Sequence, residues 1–293
     1  MPDQVWTKLT IQVPPALEDP LSDFLTTLTG RGVCIYDAQG GGSTIEAYLS
    51  PDSREDHLLR IGNLLESFVQ MEALFQGYEL EQQEVPEEDW MEVFRSQHTT
   101  VRVSDRLTIR PTWCEPAPGR EIILDPGLAF GTGSHPTTRM CLALLDSIVD
   151  DPPPGRMFDL GTGSGILALA GAHLGIKEIL AADIDPVAVK VTLENVQIND
   201  AGSSIQVIEG GVERAEGLYD IIAANISASL LERMAPLISQ HIQPGGHLIL
   251  SGILEDELAG VLEAFSACGL EKVKVLTEKV WIAALLVTPM GNK

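Results

Sequence analysis

The feature that most constrains the fold is a run of three alternate glycines, Gly161, Gly163 and Gly165, in the second half of the chain. A short apolar approach precedes them, and the Ala- and Leu-rich run 166–174 follows. This pattern predicts a strand, a tight turn and a helix N-terminus. Glycine lets the backbone approach a ligand closely at positive φ, and a helix N-terminus supplies unpaired N–H donors and partial positive charge. We therefore expect a ligand site at this turn.

Three details indicate the kind of ligand. The spacing is G-x-G-x-G, whereas a dinucleotide fingerprint places its third glycine one residue later. Asp159 precedes the first glycine, and a carboxylate there repels a pyrophosphate but suits a cationic ligand. Asp183 ends the next predicted strand, 22 residues after Gly161, where a doubly wound sheet places a carboxylate for ribose hydroxyls. These details favour S-adenosylmethionine, a cationic nucleoside without phosphates, and a nicotinamide dinucleotide is the main alternative.

The charge balance indicates the kind of partner. The 293 residues include 42 acidic and 19 basic side chains, which gives a formal net charge of −23. Nucleic-acid binding depends on lysine and arginine to neutralise phosphates, so this balance argues against it. A basic protein suits the acidic surface, although acidity can also serve solubility alone.

The four cysteines are scattered, without a C-x-x-C pair or a Cys/His cluster. This predicts reduced thiols in a cytoplasmic protein that has no metal site. The first residues lack the basic and apolar regions of a secretory signal, and no uninterrupted apolar run approaches about 18 residues. We therefore expect neither secretion nor a membrane span.

Residues 1–85 are predicted to form a small α+β domain. Their apolar patterns give the order β-α-β-β-α-β, which is that of a ferredoxin-like fold. This part has 14 acidic and 4 basic residues, a net charge of −10, whereas the other 208 residues carry −13. Because its acidic residues are denser, the N-terminal domain is the better candidate for holding a basic partner.

A linker and a larger α/β domain follow. Residues 86–118 are predicted to be the linker, with a short helix that starts near Pro86. Residues 119–293 form the second domain, in which strands and helices alternate from Arg156 onward and a hairpin closes the chain. Such alternation predicts a doubly wound, mostly parallel sheet with helices on both faces.

Asn225 closes a predicted apolar strand, and ligands of open α/β sheets bind outside the carboxyl ends of the strands. In one interpretation, its side-chain oxygen or the adjacent carbonyl oxygen accepts a hydrogen bond from a substrate N–H and directs the nitrogen lone pair towards a methyl donor. In the other, Asn225 is a cap or turn residue for the helix that follows. Its position alone favours neither interpretation.

The segment 124–139 is the second informative stretch, a loop rich in glycine and proline that leads into a helix. In one interpretation, Phe130 is a lid over the cofactor, and Thr138 hydrogen-bonds to the cofactor from the first helical turn. In the other, Phe130 fills the core and Ser134 caps the helix. A lone His135 is a poor basis for assigning a general base.

With these motifs in view, the chain resembles the bacterial ribosomal protein L11 methyltransferase family (PrmA) over nearly its whole length. The resemblance is carried by LDPGLAFGTGSHPTT (124–138), DLGTGSGILA (159–168), DIDP (183–186), ANI (224–226) and GGHLILSGIL (245–254). The first of these motifs is far more distinctive than a generic methyltransferase glycine loop.

The resemblance implies a class I, Rossmann-like methyltransferase domain and an N-terminal ferredoxin-like domain that recognises the ribosomal protein. It implies methylation of lysine ε-amines and of the N-terminal α-amine, typically up to trimethylation, with the basic partner free or in the ribosome. The implied contacts with S-adenosylmethionine fall on Thr138, Gly161, Asp183 and Asn225. The linker lacks the proline expected soon after Phe94, which leaves the set of methylated sites open.

We expect Asn225 to orient a deprotonated amine, while Asp159 and Asp183 supply ligand electrostatics and ribose contacts. Phe130 and Ile226 are candidates for an apolar slot that lowers the amine pKa. Other classes remain: a methyltransferase for RNA, a glutamine amide or a small amine, a nicotinamide-dependent oxidoreductase, and a non-catalytic chaperone of a ribosomal protein. The acidic surface counts against RNA, and the glycine spacing counts against the oxidoreductase.

Overall fold

The computed structural model of the protein describes residues 5–29, 33–37, 42–71, 79–86, 99–116, 121–124, 133 and 135–290. The chain divides into two compact units, Met1–Thr99 and Thr100–Lys293. Each unit has its own sheets and its own apolar core.

The first unit contains a four-stranded antiparallel sheet and two helices. Along the chain its elements are β1 (Val5–Val13), α1 (Pro15–Thr29), β2 (Cys34–Asp37), β3 (Ser43–Leu49), α2 (Arg54–Met71) and β4 (Glu79–Pro86). The strands lie in the order β2-β3-β1-β4. Side chains alternate along β1, so that Leu9 and Ile11 enter a core shared with Leu21, Leu25 and Ile61 of the helices.

Pro86 ends β4, where the sequence predicts the start of a helix. It pairs with Val5 at the end of an edge strand, a position that tolerates the missing N–H of proline. The rest of the predicted short helix falls within residues 87–98, which lie outside the described residues.

A three-stranded sheet opens the second unit. It contains β5 (Val101–Arg102), β6 (Thr108–Pro111) and β7 (Ile122–Leu124), and β6 is antiparallel to β5 and parallel to β7. The core that holds the first helix of this unit also buries Leu107, Ile109, Ile122 and Leu124. Residues 100–116 of the predicted linker therefore contribute to the fold of the second unit.

A seven-stranded sheet forms the body of the second unit. Its strands are β8 (Arg156–Leu160), β9 (Glu178–Asp183), β10 (Ile205–Glu209), β11 (Tyr219–Asn225), β12 (Ile242–Leu254), β13 (Glu271–Glu278) and β14 (Trp281–Val287). They lie in the order β10-β9-β8-β11-β12-β14-β13, with β14 antiparallel to its two neighbours and the other pairs parallel. The mostly parallel sheet and the closing hairpin predicted from the sequence are confirmed.

Helices cover both faces of this sheet. They are α3 (Pro136–Ile148), α4 (Ile166–His173), α5 (Pro186–Ile198), α6 (Ala228–Ser239) and α7 (Leu258–Ala267). Along β11, Ile221 and Ala223 face a core with α3 and α4, whereas Ile222 and Ala224 face a core with α6 and α7. Burial on both faces explains the nearly continuous apolar runs of these strands. Within the described ranges, no helix is long and apolar enough to cross a membrane.

The strand order reverses direction beside β8. From β8 the chain proceeds to β9 and β10 on one side, and then to β11 and β12 on the other. A doubly wound sheet opens a crevice at such a point, outside the carboxyl ends of the strands. The carboxyl ends that meet here are those of β8, β9 and β11, which are the strands that lead to the predicted ligand-binding residues.

Candidate active site

A glycine turn leads from β8 into α4 at this edge of the sheet. Gly161 and Gly163 have φ angles of 71° and 56°. The N–H groups of Gly161 and Thr162 donate to the carbonyl oxygen of Ala182, at 2.9 and 3.0 Å. A Cβ on Gly161 would lie 2.5 Å from Cγ2 of Ile226. Glycine therefore provides both the positive φ and the close packing against the segment after β11.

The Asp159 carboxylate is buried inside this turn. Only 1% of the residue is exposed, and its Oδ2 accepts from the Thr162 hydroxyl at 2.6 Å and from the Ala168 N–H at 3.1 Å. Burial is the main reason that the pKa of Asp159 is raised to about 6; the charge of Asp183 acts in the same direction, and the two hydrogen bonds oppose it. The carboxylate thus fastens the turn to the start of α4, a role that was not predicted from the sequence.

The Asp183 carboxylate is fixed at the end of β9. One oxygen accepts from the N–H of Gly163 at 2.9 Å, and the other accepts from the N–H of Asp185 at 3.0 Å. The next residue, Ile184, is an apolar side chain with 78% exposure. Sequence reasoning missed Ile184, although an isoleucine between two acidic residues was the available signal. Together these residues can accept from a hydroxyl and cover an apolar ring.

Polar side chains of α5 hold the glycine turn from the side. The Thr192 hydroxyl donates to the carbonyl oxygen of Gly163 at 2.8 Å, and Nδ2 of Asn195 donates to the carbonyl oxygen of Ser164 at 2.9 Å. The two side chains are three residues apart and therefore share one face of the helix. The shape of the turn thus depends on polar side chains of α5, a role that was not predicted from the sequence.

The C-cap residue of α5, Asn199, also holds β7. Asn199 donates through Nδ2 to the carbonyl oxygen of Ile123 at 2.6 Å, and its Oδ1 accepts from the N–H of Ile123 at 2.8 Å. This pair of bonds takes the place of a neighbouring strand. The segment that follows β7 contains Phe130, so the predicted lid residue lies outside the described residues.

Asn225, at the end of β11, contacts the first turn of α3. Its Nδ2 donates to Oγ1 of Thr137 at 3.3 Å, and this Oγ1 lies 2.7 Å from Nδ1 of His135. The rings of His135 and Trp281 meet edge to face, with their centroids 5.5 Å apart. The helix after β11 has Ser227 as its N-cap, so the interpretation of Asn225 as a helix cap is wrong.

The N-cap of α3 is His135, so the alternative prediction of Ser134 is wrong. Nδ1 of His135 accepts from the N–H of Thr137 at 3.4 Å. Thr138 is fully buried, and its Oγ1 has no hydrogen-bond partner among the described residues. A buried hydroxyl in this state is a candidate for a bond to a ligand. Sequence reasoning missed Thr137, because the string HPTT indicates only a helix start.

The predicted site residues come together from neighbouring elements. The glycine turn follows β8, Asp183 ends β9 and Asn225 ends β11. Thr138 is contributed by α3, which packs beside β11, β12 and β14. In the part of the chain that the structure describes, no group of three or more His, Cys, Asp or Glu side chains is placed to hold a metal ion. The edge offers a fixed carboxylate, an amide and an unsatisfied hydroxyl, which suit a nucleoside-like ligand.

Comparisons with known proteins identify the family. Residues 5–288 match the family model described as ribosomal protein L11 methyltransferase (PrmA). A protein named ribosomal protein L11 methyltransferase from Geobacter sulfurreducens is 38% identical, over 95% of this chain and 97% of its own length. A protein of the same name from Geotalea uraniireducens is 37% identical, over 94% of this chain and 96% of its own length. The crystal structure of ribosomal protein L11 methylase from Lactobacillus delbrueckii subsp. bulgaricus matches with a TM-score of 0.61 and 30% identity, over 65% of this chain and 99% of that chain. The chain therefore belongs to the ribosomal protein L11 methyltransferase (PrmA) family.

Proposed function

We propose that this protein transfers methyl groups from S-adenosylmethionine to amines of ribosomal protein L11, namely lysine ε-amines and the N-terminal α-amine. Membership of the family carries this proposal. The site supports it, because the glycine turn, Asp183 and Asn225 meet at the edge where doubly wound sheets bind their ligands.

We assign the nucleoside part of the donor to Asp183 and Ile184. Backbone N–H groups fix both oxygens of Asp183, and a carboxylate has about four lone-pair sites, so further ones remain for ribose hydroxyls. Ile184 is exposed beside it and offers an apolar surface to the base. This pair suits a ligand with a sugar and a flat ring.

The remaining donor contacts are assigned to the glycine turn and α3. Gly161 and Gly163 let the backbone approach the donor without intervening side chains. The buried Thr138 hydroxyl supports the fit, because a polar group of the donor would give it the partner that the described residues do not provide. Asp159 keeps the turn in shape, and its negative charge lies behind the turn, where it favours a sulfonium.

The reaction requires orientation more than charge stabilisation. S-adenosylmethionine supplies a methyl group on a positively charged sulfur; the amine lone pair forms the N–C bond, and sulfur keeps the electrons of the broken C–S bond. After the first and second transfers to one amine a proton goes to solvent, whereas a third transfer leaves a quaternary cation. Because the leaving thioether is neutral, the protein has no developing anion to stabilise, and its residues position the reactants. We assign this task to Asn225, whose Oδ1 accepts from the amine N–H and leaves the lone pair free for the methyl carbon.

The amine must be neutral to react. Its pKa is about 10.4 for a lysine and about 8 for an α-amine in water, and removal from water lowers it. Ile226 follows Asn225 and packs against Gly161, so it supplies apolar surface at the position required. Phe130 is proposed as a second wall of the slot and as a lid.

We infer that the first unit is a ferredoxin-like domain that recognises the ribosomal protein. Its β-α-β-β-α-β order and its β2-β3-β1-β4 sheet support the fold. The net charge of −10 over residues 1–85, from 14 acidic and 4 basic side chains, suits a basic protein, free or in the ribosome, and disfavours direct nucleic-acid recognition. A ribosomal substrate also implies a cytoplasmic location.

The proposal is tested by incubating the full chain with radiolabelled S-adenosylmethionine and ribosomal protein L11, followed by mapping of the products by mass spectrometry. We expect mass gains of one to three methyl groups on lysine and N-terminal amines. No transfer despite measurable donor binding would move the acceptor to another molecule. Absence of donor binding would overturn the donor site as well.

Two substitutions separate the assigned roles. Asn225→Ala should lower turnover by about a hundredfold, the order expected for a lost orienting group, while donor affinity stays within about twofold. Asp183→Ala should do the reverse and weaken donor binding first. If both variants lost the same property, the division between acceptor and donor residues would be wrong.

A further inference from the structure

The first turn of α3 contains a hydrogen-bond chain that ends on Asn225. Nδ1 of His135 accepts from the N–H of Thr137 at 3.4 Å, and on this bond we assign the ring the tautomer that has no proton on Nδ1. The 2.7 Å contact between the same nitrogen and Oγ1 of Thr137 is therefore a bond that the hydroxyl donates. The edge-to-face contact with Trp281 limits rotation of the imidazole ring. His135 is thus a fixed acceptor for Thr137.

In this arrangement the Thr137 hydroxyl can only accept a hydrogen bond from Asn225. A hydroxyl has one proton, and His135 receives it, so Oγ1 can only accept from the amide. The atom of Asn225 that faces it at 3.3 Å is accordingly Nδ2, the donor. Because the amide is planar, holding Nδ2 at Thr137 also fixes the direction of Oδ1. Thr137 is only 1% exposed, so bulk water has little access to its hydroxyl.

We propose that Thr137 is a positioning residue which, together with His135, locks the amide of Asn225 so that Oδ1 faces the substrate amine. This inference rests on the role that the proposed function gives to Asn225. In the opposite orientation an amide N–H would face the amine and would donate to its lone pair. That lone pair forms the new bond to the methyl carbon, so the flipped amide opposes the reaction.

Thr137→Val tests the proposal, because valine keeps the branched shape and removes the hydroxyl. We expect kcat to fall about tenfold, the order expected for the loss of one orienting hydrogen bond, while the donor Kd and the KM for ribosomal protein L11 stay within about twofold. Thr137→Ser restores the hydroxyl and should restore kcat. If valine disturbs the helix start, Thr137→Ala serves as the second variant.

Thr288→Val is the matched control. It also removes a bonded hydroxyl, which donates to the carbonyl oxygen of Gln243 at 2.5 Å, but it lies at the opposite edge of the sheet, where β12 begins. Turnover should be unchanged in this variant. A similar loss of kcat in both variants would show a general effect of losing a hydrogen-bonded hydroxyl, and the proposal would fall.

The double variant Thr137→Val/Asn225→Ala separates a failure of this inference from a failure of the proposed function. If Thr137 acts through Asn225, the double variant is no slower than Asn225→Ala alone. Additive losses, a Thr137→Val enzyme with full turnover, or equal losses of donor affinity and kcat would each overturn the inference and leave Asn225 in its role. Full turnover of Asn225→Ala would overturn the proposed function and this inference together.

Discussion

Gly252 lies against the backbone that follows Asn225, so the structure gives a specific expectation for Gly252→Ala. Gly252 has a φ of 79° and lies at an irregularity in the pairing of β12 with β14. A Cβ at this position would lie 2.4 Å from the carbonyl oxygen of Ile226 and 2.9 Å from its carbonyl carbon. Backbone atoms cannot move aside as the end of a flexible side chain can. Alanine must therefore displace either β12 or the segment that carries Asn225.

Two costs add in this variant. A residue other than glycine in the left-handed region costs about 1–2 kcal/mol, and overpacking against fixed neighbours costs about 1–3 kcal/mol. The middle of both ranges gives a loss of about 3.5 kcal/mol in the free energy of unfolding. At about 3 °C per kcal/mol for a unit of this size, the melting temperature should fall by about 10 °C.

Gly269→Ala is the matched control for the backbone cost. Gly269 has a φ of 87°, and a Cβ there would meet nothing within 4 Å. This variant carries only the cost of the left-handed conformation, and its melting temperature should fall by about 5 °C. Calorimetric melting of both variants measures the difference, and turnover below the transition should decline only in Gly252→Ala. Equal melting shifts would refute the argument that the Ile226 carbonyl requires glycine at position 252.

Asp183→Ala should weaken binding of S-adenosylmethionine at least about tenfold, because hydrogen bonds to a charged group contribute about 1.5–3 kcal/mol. Asp185→Ala removes only the N-cap of α5 and should leave the affinity measured by titration calorimetry within about twofold; unchanged affinity in Asp183→Ala would contradict the ribose contact. Asp159→Asn should change the pH dependence of stability. The pKa of Asp159 is raised from 3.8 to about 6 on folding, so the folded state binds more protons than the unfolded state between these values, and this group lowers stability as pH rises from about 4 to 6. Urea unfolding across that interval should give a more positive slope of unfolding free energy against pH for the asparagine variant, and identical slopes would refute the raised pKa.

Local sequence patterns were sufficient to predict the strands and helices of the seven-stranded sheet. The glycine spacing and the apolar runs around it predict β8, the turn and α4, because strand and helix periodicities are visible within a few residues. The small sheet of β5, β6 and β7 could not be predicted in the same way. A two-residue strand such as β5 shows no periodicity, and the parallel pairing of β6 with β7 depends on contacts beyond any local window.

In the candidate site, too, features set by local sequence could be predicted, whereas contacts between distant residues could not. The placement of Asp183 and Asn225 at one edge of the sheet could be predicted, because the carboxyl ends of the strands lie together in a doubly wound sheet. The contact of Asn225 with Thr137 joins positions 88 residues apart, and neither residue type predicts it. The burial of Asp159 was also hidden, because an acid before a glycine turn can face either a ligand or the turn itself.

The polar face of α5 explains why motifs far apart in the sequence form one site. Thr192 and Asn195 hold carbonyl groups of the glycine turn, and Asn199 holds both polar groups of Ile123 in β7. β7 leads directly into the glycine- and proline-rich segment of the LDPGLAFGTGSHPTT motif, so one rigid helix supports the approaches to both motifs. Each of these side chains satisfies backbone groups of the turn or of β7, and backbone groups are costly to leave unpaired when buried. The proposed donor site is therefore supported by side-chain-to-backbone bonds from α5 and its C-cap residue, in addition to the packing of the sheet beneath it.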